Sequence, residues 1–234
     1  GMEEAYLYDP SLNAAQLVTQ ILHGCVTRLG DDAPLADHIR DLPHLIHNRF
    51  SQNAGPLTLF AARDVMDLLA SHVFNGIVWP DFAGITNPAT GKPVVHYRAL
   101  ATGKRTSFGD IALTAVPVHH QIPAAGVILE MSGQAIAFTG DTGPTNDIWK
   151  RTNKTENVVA IVTEASFPND QQSLADETAH LTPQTFGEEL KKITVDAPVY
   201  ASHRKIPYER DIESQIKNLR DRRARVLLEK NYTL

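Results

Sequence analysis

Apolar residues along this chain recur at two periods. Ala14, Leu17, Val18 and Ile21 stand at helical spacing behind a Ser11 N-cap, and Val65, Leu68, Leu69 and His72 share one face of a second helix beginning after Ala61. Between them, Leu57 to Phe60 follows a Gly55-Pro56 turn and reads as a short strand. The middle of the chain is β-rich. Ile111 to Val118 alternates and then runs apolar, Gly126 to Met131 and Ala135 to Thr139 flank a Ser132-Gly133 turn, and Val158 to Thr163 reads as a strand buried on both faces. Helical spacing then returns. Thr182-Pro183 supplies an N-cap and first helical residue for a helix with Phe186, Leu190 and Ile193 inside, and Val199 to Ala201 is a further strand. From Tyr208 a long charged helix carries Ile212, Ile216 and Leu219, with Arg220, Arg222, Arg223 and Arg225 on its solvated face. The class is mixed α/β with substantial antiparallel pairing. No repeat or low-complexity segment interrupts it, so a single domain over residues 2–234 is expected.

Composition narrows the chemistry. With 42% hydrophobic and 21% charged residues in 234, the chain can bury a sizeable core. No stretch approaches the roughly 18 to 20 consecutive apolar residues of a membrane helix, and no basic region precedes an apolar run at the start, so a soluble, unexported protein is expected. The formal charge of −5 gives no global reason to bind nucleic acid or an anionic membrane. One cysteine, Cys25, excludes an intrachain disulfide framework and a Cys-rich zinc site, and fits a reducing cytoplasm. Ten histidines stand beside it, so acid-base or transition-metal chemistry would rest on imidazole and carboxylate.

Those groups fall at strand ends. The Ile111 strand runs out at His119-His120, the Ala135 strand at Asp141, the Val158 strand at Glu164 and the Pro198 strand at His203. Strand ends that converge on one sheet edge build a site on rigid supports. His119 should point away from such a site if His120 points in, because side chains alternate along a strand. His44, His47, His72 and His96 fit no such position and read as structural or surface residues, and Cys25 reads as a small buried hydrophobe.

Several longer segments carry a resemblance. They are Asp37-His38-Ile39, the run from Phe74 to Phe82, Val118-His119-His120-Gln121-Ile122-Pro123, the run Phe138-Thr139-Gly140-Asp141-Thr142-Gly143-Pro144, Glu164-Ala165-Ser166-Phe167, His180-Leu181-Thr182 and Ser202-His203. In this order they resemble the metallo-β-lactamase-fold hydrolases, and among those the bacterial 3′,5′-cyclic-nucleotide phosphodiesterases, kin of the tRNA 3′-processing nucleases. The resemblance implies an αββα sandwich with a metal cleft at the sheet edge, where metal-bound hydroxide attacks a small phosphodiester such as a cyclic nucleotide. By position it makes Asp37, His38, His120, Asp141 and His203 metal ligands. His180 takes the place of a proton donor to the leaving group, with Glu164 supporting it and Asp37 counted with them in catalysis. Trp79, Asp81 and Phe82 fall in a loop that either lines the cleft or serves packing or a dimer contact.

The departures from the family pattern carry equal weight. Its first motif is His-x-His-x-Asp-His, and aligning Asp37-His38 on it puts Ala33 and Leu35 where the first two histidines belong. The resemblance therefore implies one divalent metal (Zn, Mn or Fe) held firmly by Asp37, His38, Asp141 and His203, and a second held weakly if at all, with help from Asp31 or Asp32. The family's opening β-hairpin is lacking, with Tyr6-Leu7-Tyr8-Asp9 as a remnant of the strand that follows it. Either another subunit covers the exposed edge, as in a homodimer, or the local fold differs. Two functions stand at this point: a metal-dependent phosphodiesterase, and a catalytically impaired family member that binds or regulates with one metal or none.

Overall fold

The computed structural model describes residues 42–121 and 124–228. The Ser11 helix, the Tyr6 to Asp9 segment, Cys25, Asp31, Asp32, Ala33, Leu35, Asp37 and His38 lie outside the described residues. Within them the strands are β1 (Leu57–Ala62), β2 (Thr86–Asn87), β3 (Lys92–Pro93), β4 (Val95–Leu100), β5 (Arg105–Phe108), β6 (Ile111–Val118), β7 (Ala124–Met131), β8 (Gln134–Phe138), β9 (Val158–Glu164), β10 (Val199–Ser202) and β11 (Ala224–Val226). The helices are α1 (Leu42–Ser51), α2 (Arg63–Leu68), α3 (Asp147–Thr152), α4 (Gln172–Thr178), α5 (Pro183–Leu190) and α6 (Glu209–Asn218).

Among the described residues a seven-stranded sheet runs in the order β11-β10-β9-β8-β7-β6-β5. Its β5 to β8 half is antiparallel and its β8 to β11 half parallel. Because β7 runs against both neighbours, β6, β8, β9 and β10 all point the same way, and their C-terminal ends share one edge.

The two faces of this sheet are sorted by the alternation of its strands. Val116, Ile128, Ala135, Ala137, Ile161, Val199 and Ala201 pack on one side against Ile148 and Trp149 of α3, Phe186 and Leu190 of α5, and Ile212 and Ile216 of α6. The residues between them in sequence face the other way. Leu113, Ala115 and Leu129 meet Phe60 of β1 and Leu100 of β4, which form a small parallel sheet, while Ala160, Val162 and Tyr200 form a separate cluster. The outer face of the β1-β4 pair, through Leu57, Leu59 and Val95, packs on Ile46 of α1 and on Leu69. Helices, sheet, sheet, helices is the αββα order that the resemblance implies.

Close contact in this core gives one mutational expectation. A Cβ on Gly126 would sit 2.6 Å from the Phe138 carbonyl oxygen and 2.4 Å from Ile148 Cδ1. The carbonyl belongs to the neighbouring strand and cannot swing aside, so Gly126→Ala is expected to lower stability by about 1–3 kcal/mol, read from the urea midpoint.

Several sequence expectations need correction. The helix at Tyr208 does not reach the arginines: α6 ends at Asn218, Leu219 caps it, and Arg220 turns the chain out at φ +55. Arg222 instead pairs with Asp196, Arg225 lies in β11, and Arg223 donates to the Leu190 carbonyl at the end of α5 and to the Ile193 carbonyl past it. Ile193 is buried but lies beyond that helix, and His72 is exposed because the second helix gives way to a π turn at Leu69–Val73. In the Trp79 loop, Phe82 is a core residue edge-on to Phe74 and the Asp81 carboxylate closes its own turn.

Asp221 anchors Arg223 in turn, and the hydrogen bond from Arg223 holds its carboxyl below the ordinary 3.8. A carboxyl depressed by folding adds stability that is present above its unfolded value and lost as pH falls through its folded one. Asp221→Asn is therefore expected to flatten the decline of the unfolding midpoint between about pH 5 and about pH 2.

Candidate metal centre

The shared strand edge gathers the polar ends of otherwise apolar strands. His120 follows β6, Asp141 follows β8, Glu164 closes β9 and His203 follows β10. His180 arrives from the connection between α4 and α5. His120, Asp141 and His180 each offer a donor atom within 4.8 Å of the others'. His203 joins them, with Nδ1 3.4 Å from Asp141 Oδ1 and its ring stacked on that of His180 at 5.7 Å. Five of the sequence-derived site residues thus gather here, counting Glu164 on His180. His119 is exposed, with its Nδ1 beside Gly143. His44, His47 and His72 are exposed and His96 is partly so, as surface roles require.

Local structure fixes each group. Gly140, at φ +63, turns the chain after β8, while Thr139 donates to Thr163 Oγ1 and Gly143 N donates to the His119 carbonyl. Asp141 stands on the loop between these ties. His180 lies between two caps. Ala179 ends α4 in the left-handed conformation at φ 54, and Thr182 opens α5 with a reciprocal capping box to Thr185. His203 itself has φ +53. A non-glycine residue there costs of order 1–3 kcal/mol and persists where the surroundings enforce it, commonly at functional sites.

His120 and His180 are each held by Nδ1. His120 Nδ1 lies 3.2 Å from the Ala179 carbonyl oxygen, which accepts from it, and His180 Nδ1 lies 2.7 Å from Glu164 Oε1. Each is left with Nε2 as its free ring nitrogen, the arrangement by which outer carboxylates and carbonyls orient site imidazoles.

Glu164 is wholly buried and accepts from every side. Oε1 takes Thr142 N at 2.6 Å besides His180, and Oε2 takes Ser166 Oγ at 2.6 Å and Leu181 N at 3.0 Å. The His180 pKa answers to opposing effects. Burial, the strongest single one, pulls it down, and Lys205 does the same more weakly. The Glu164 charge and hydrogen bond, with the charge of Asp141, outweigh both and leave it raised.

Sequence reasoning placed Glu164 beside His180 and missed its other partners. Ser166 and Phe167 sit in a quoted segment but took no role there. Ser166 caps the Glu164 carboxylate, and Phe167 stands edge-on to His180 at 5.7 Å. The one available signal was position, two and three residues beyond an acid that ends an apolar strand.

Imidazole and carboxylate groups thus converge at the C-terminal edge of a sandwiched sheet. The chain belongs to the beta-lactamase superfamily, whose domain it matches over residues 35–203. It is 28% identical over 154 residues to a probable 3′,5′-cyclic-nucleotide phosphodiesterase of Yersinia pestis, a match that takes in 58% of this chain and 43% of that protein. Its fold is similar to unliganded yeast PDE1, at TM-score 0.67 and 19% identity over 82% of this chain and 64% of that one. It is also similar to the short form of human tRNase Z, at TM-score 0.54 and 18% identity over 79% and 72%. The chain thus spans less than two thirds of the length of the first two.

Proposed function

We propose that this protein is a metal-dependent phosphodiesterase acting on small phosphodiesters of the cyclic-nucleotide kind. The observation that carries the reading is the buried Glu164–His180 pair turned toward His120, Asp141 and His203. The relationship to the Yersinia protein supports the substrate class.

The donor set suits zinc, manganese or iron, being two or more imidazoles and a carboxylate converging on one point. His120, Asp141 and His203 would hold the ion, together with Asp37 and His38. A bound divalent ion supplies Lewis-acid polarisation of the phosphoryl oxygen and acidifies water. His180 is assigned to proton transfer rather than ligation. Glu164 and Asp141 favour its charged form against burial, and Glu164 holds its Nδ1, so Nε2 is the nitrogen left to donate. Protonated His180 delivers its Nε2 proton to the leaving oxygen, and Glu164 holds the ring and balances the charge. The side chains around Glu164 keep water from that carboxylate.

The second reading, a binding or regulatory protein, draws on Ala33 and Leu35 standing where two histidines are expected. One experiment separates them. Metal-stripped protein is reloaded with Zn²⁺ or Mn²⁺, analysed for metal content, and assayed on bis-p-nitrophenyl phosphate and cyclic AMP. The enzyme reading expects turnover that a chelator abolishes. Absence of turnover with every metal overturns it and leaves the second.

A further inference from the structure

Two residues beyond His203 stands a cation that the mechanism above does not use. The Lys205 amide donates to the Ser166 carbonyl at 3.2 Å, tying its main chain to the segment that buries Glu164. Its ammonium lies 5.9 Å from the centroid of the Phe167 ring, the same ring that stands edge-on to His180. This cation–π seat holds the charge at one place instead of leaving it on a free lysine stem. The adjoining Arg204 is already engaged, by the Leu227 carbonyl at 3.2 Å and Glu209 at 4.0 Å. Among the described residues no carboxylate pairs with Lys205.

The ring on which the Lys205 ammonium rests is the one that stands edge-on to His180, so the charge is fixed on the His180 side of the site. An anion entering on that side is attracted by it. A phosphodiester brings one negative charge on its non-bridging oxygens. The acids already in the site repel that charge: Asp141 and Glu164 are both largely withdrawn from solvent. A fixed ammonium on the His180 side offsets them.

We propose that Lys205 binds a non-bridging oxygen of the substrate's phosphate and so sets the preference of this site for anionic phosphodiesters, an assignment that rests on the phosphodiesterase reading. Lys205→Met keeps the aliphatic stem over Phe167 and removes the charge. With metal-loaded protein and bis-p-nitrophenyl phosphate, it is expected to raise KM about tenfold or more and leave kcat much closer to wild type. Lys205→Arg should restore most of the loss. Added salt should raise KM more in the wild type than in Lys205→Met. Calorimetry on metal-free protein gives a second readout: the Kd of inorganic phosphate rises in Lys205→Met by a similar factor. If the methionine variant fails to fold by circular dichroism, Lys205→Gln takes its place.

Equal KM and equal phosphate Kd in variant and wild type overturn the assignment. A wild type that turns over no phosphodiester overturns the phosphodiesterase reading instead. Phosphate affinity then decides Lys205 alone: weaker binding in the variant supports it, and no difference, including no binding by either, overturns it.

Discussion

Glu164→Gln is expected to cost about 2–4 kcal/mol of stability and nearly all turnover. The two proteins differ by one atom, but the site has no place for an amide. Oε1 accepts the Thr142 N–H and Oε2 accepts the Leu181 N–H, so whichever oxygen becomes NH2 faces a buried backbone donor. The Ser166 hydroxyl can rotate to accept instead, whereas the two N–H groups cannot. Those N–H groups belong to the Asp141 loop and to the turn that carries His180. The cost therefore falls on the segments that present the site. The charge on His180 changes as well. With the carboxylate gone, burial acts with little opposition and the imidazole pKa falls, an effect visible in the His180 titration of metal-free protein by NMR. Urea unfolding and hydrolysis of bis-p-nitrophenyl phosphate measure the rest. A variant equal to wild type in stability and turnover would show that the carboxylate is dispensable.

Why the main sheet was legible in the sequence follows from its burial. Strands β6, β8, β9 and β10 are apolar runs covered on both faces, and each stops at a residue able to do chemistry, so element and site were read from one pattern. The periphery carries no such signal. Strand β5 is a largely exposed edge, β4 mixes Val95 and Leu100 with His96 and Arg98, and β11 is three residues centred on Arg225. Each exists because a neighbouring strand offers hydrogen bonds, which is long-range information. Past α6 the spacing of charges continues helically without a break, yet Arg220 leaves the helix in a left-handed conformation with no glycine to mark the stop. The site divides in the same way. His120, Asp141, Glu164 and His203 were visible as strand ends. Ser166, Phe167 and Lys205 were not, since their relation to His180 depends on how three separate turns pack. Likewise nothing in the residue type of His203 announces its positive φ.

Asp141→Asn should separate chemistry from folding where Glu164→Gln cannot. The hydrogen bonds that hold its loop are made by neighbours: Thr139 to Thr163, Thr142 to Glu164 and Gly143 to His119. Asparagine preserves the shape of the side chain, so the loop and the thermal midpoint of the metal-free protein should remain close to wild type. What disappears is the negative charge among His120, His180 and His203. A carboxylate shared by imidazole donors is the one hard anionic ligand of that group, and losing it should weaken metal binding by at least about 100-fold, with turnover falling at least as far. His180 also loses one of the charges that raise its pKa. Metal content after dialysis, the unfolding curve and the assay on bis-p-nitrophenyl phosphate decide the matter together. Full metal retention with wild-type turnover would remove Asp141 from the centre, and an unfolded variant would assign it to the scaffold. The expected result, an intact fold without metal or activity, places the two acids of the site in different work: Glu164 holds the site's walls and Asp141 faces its contents.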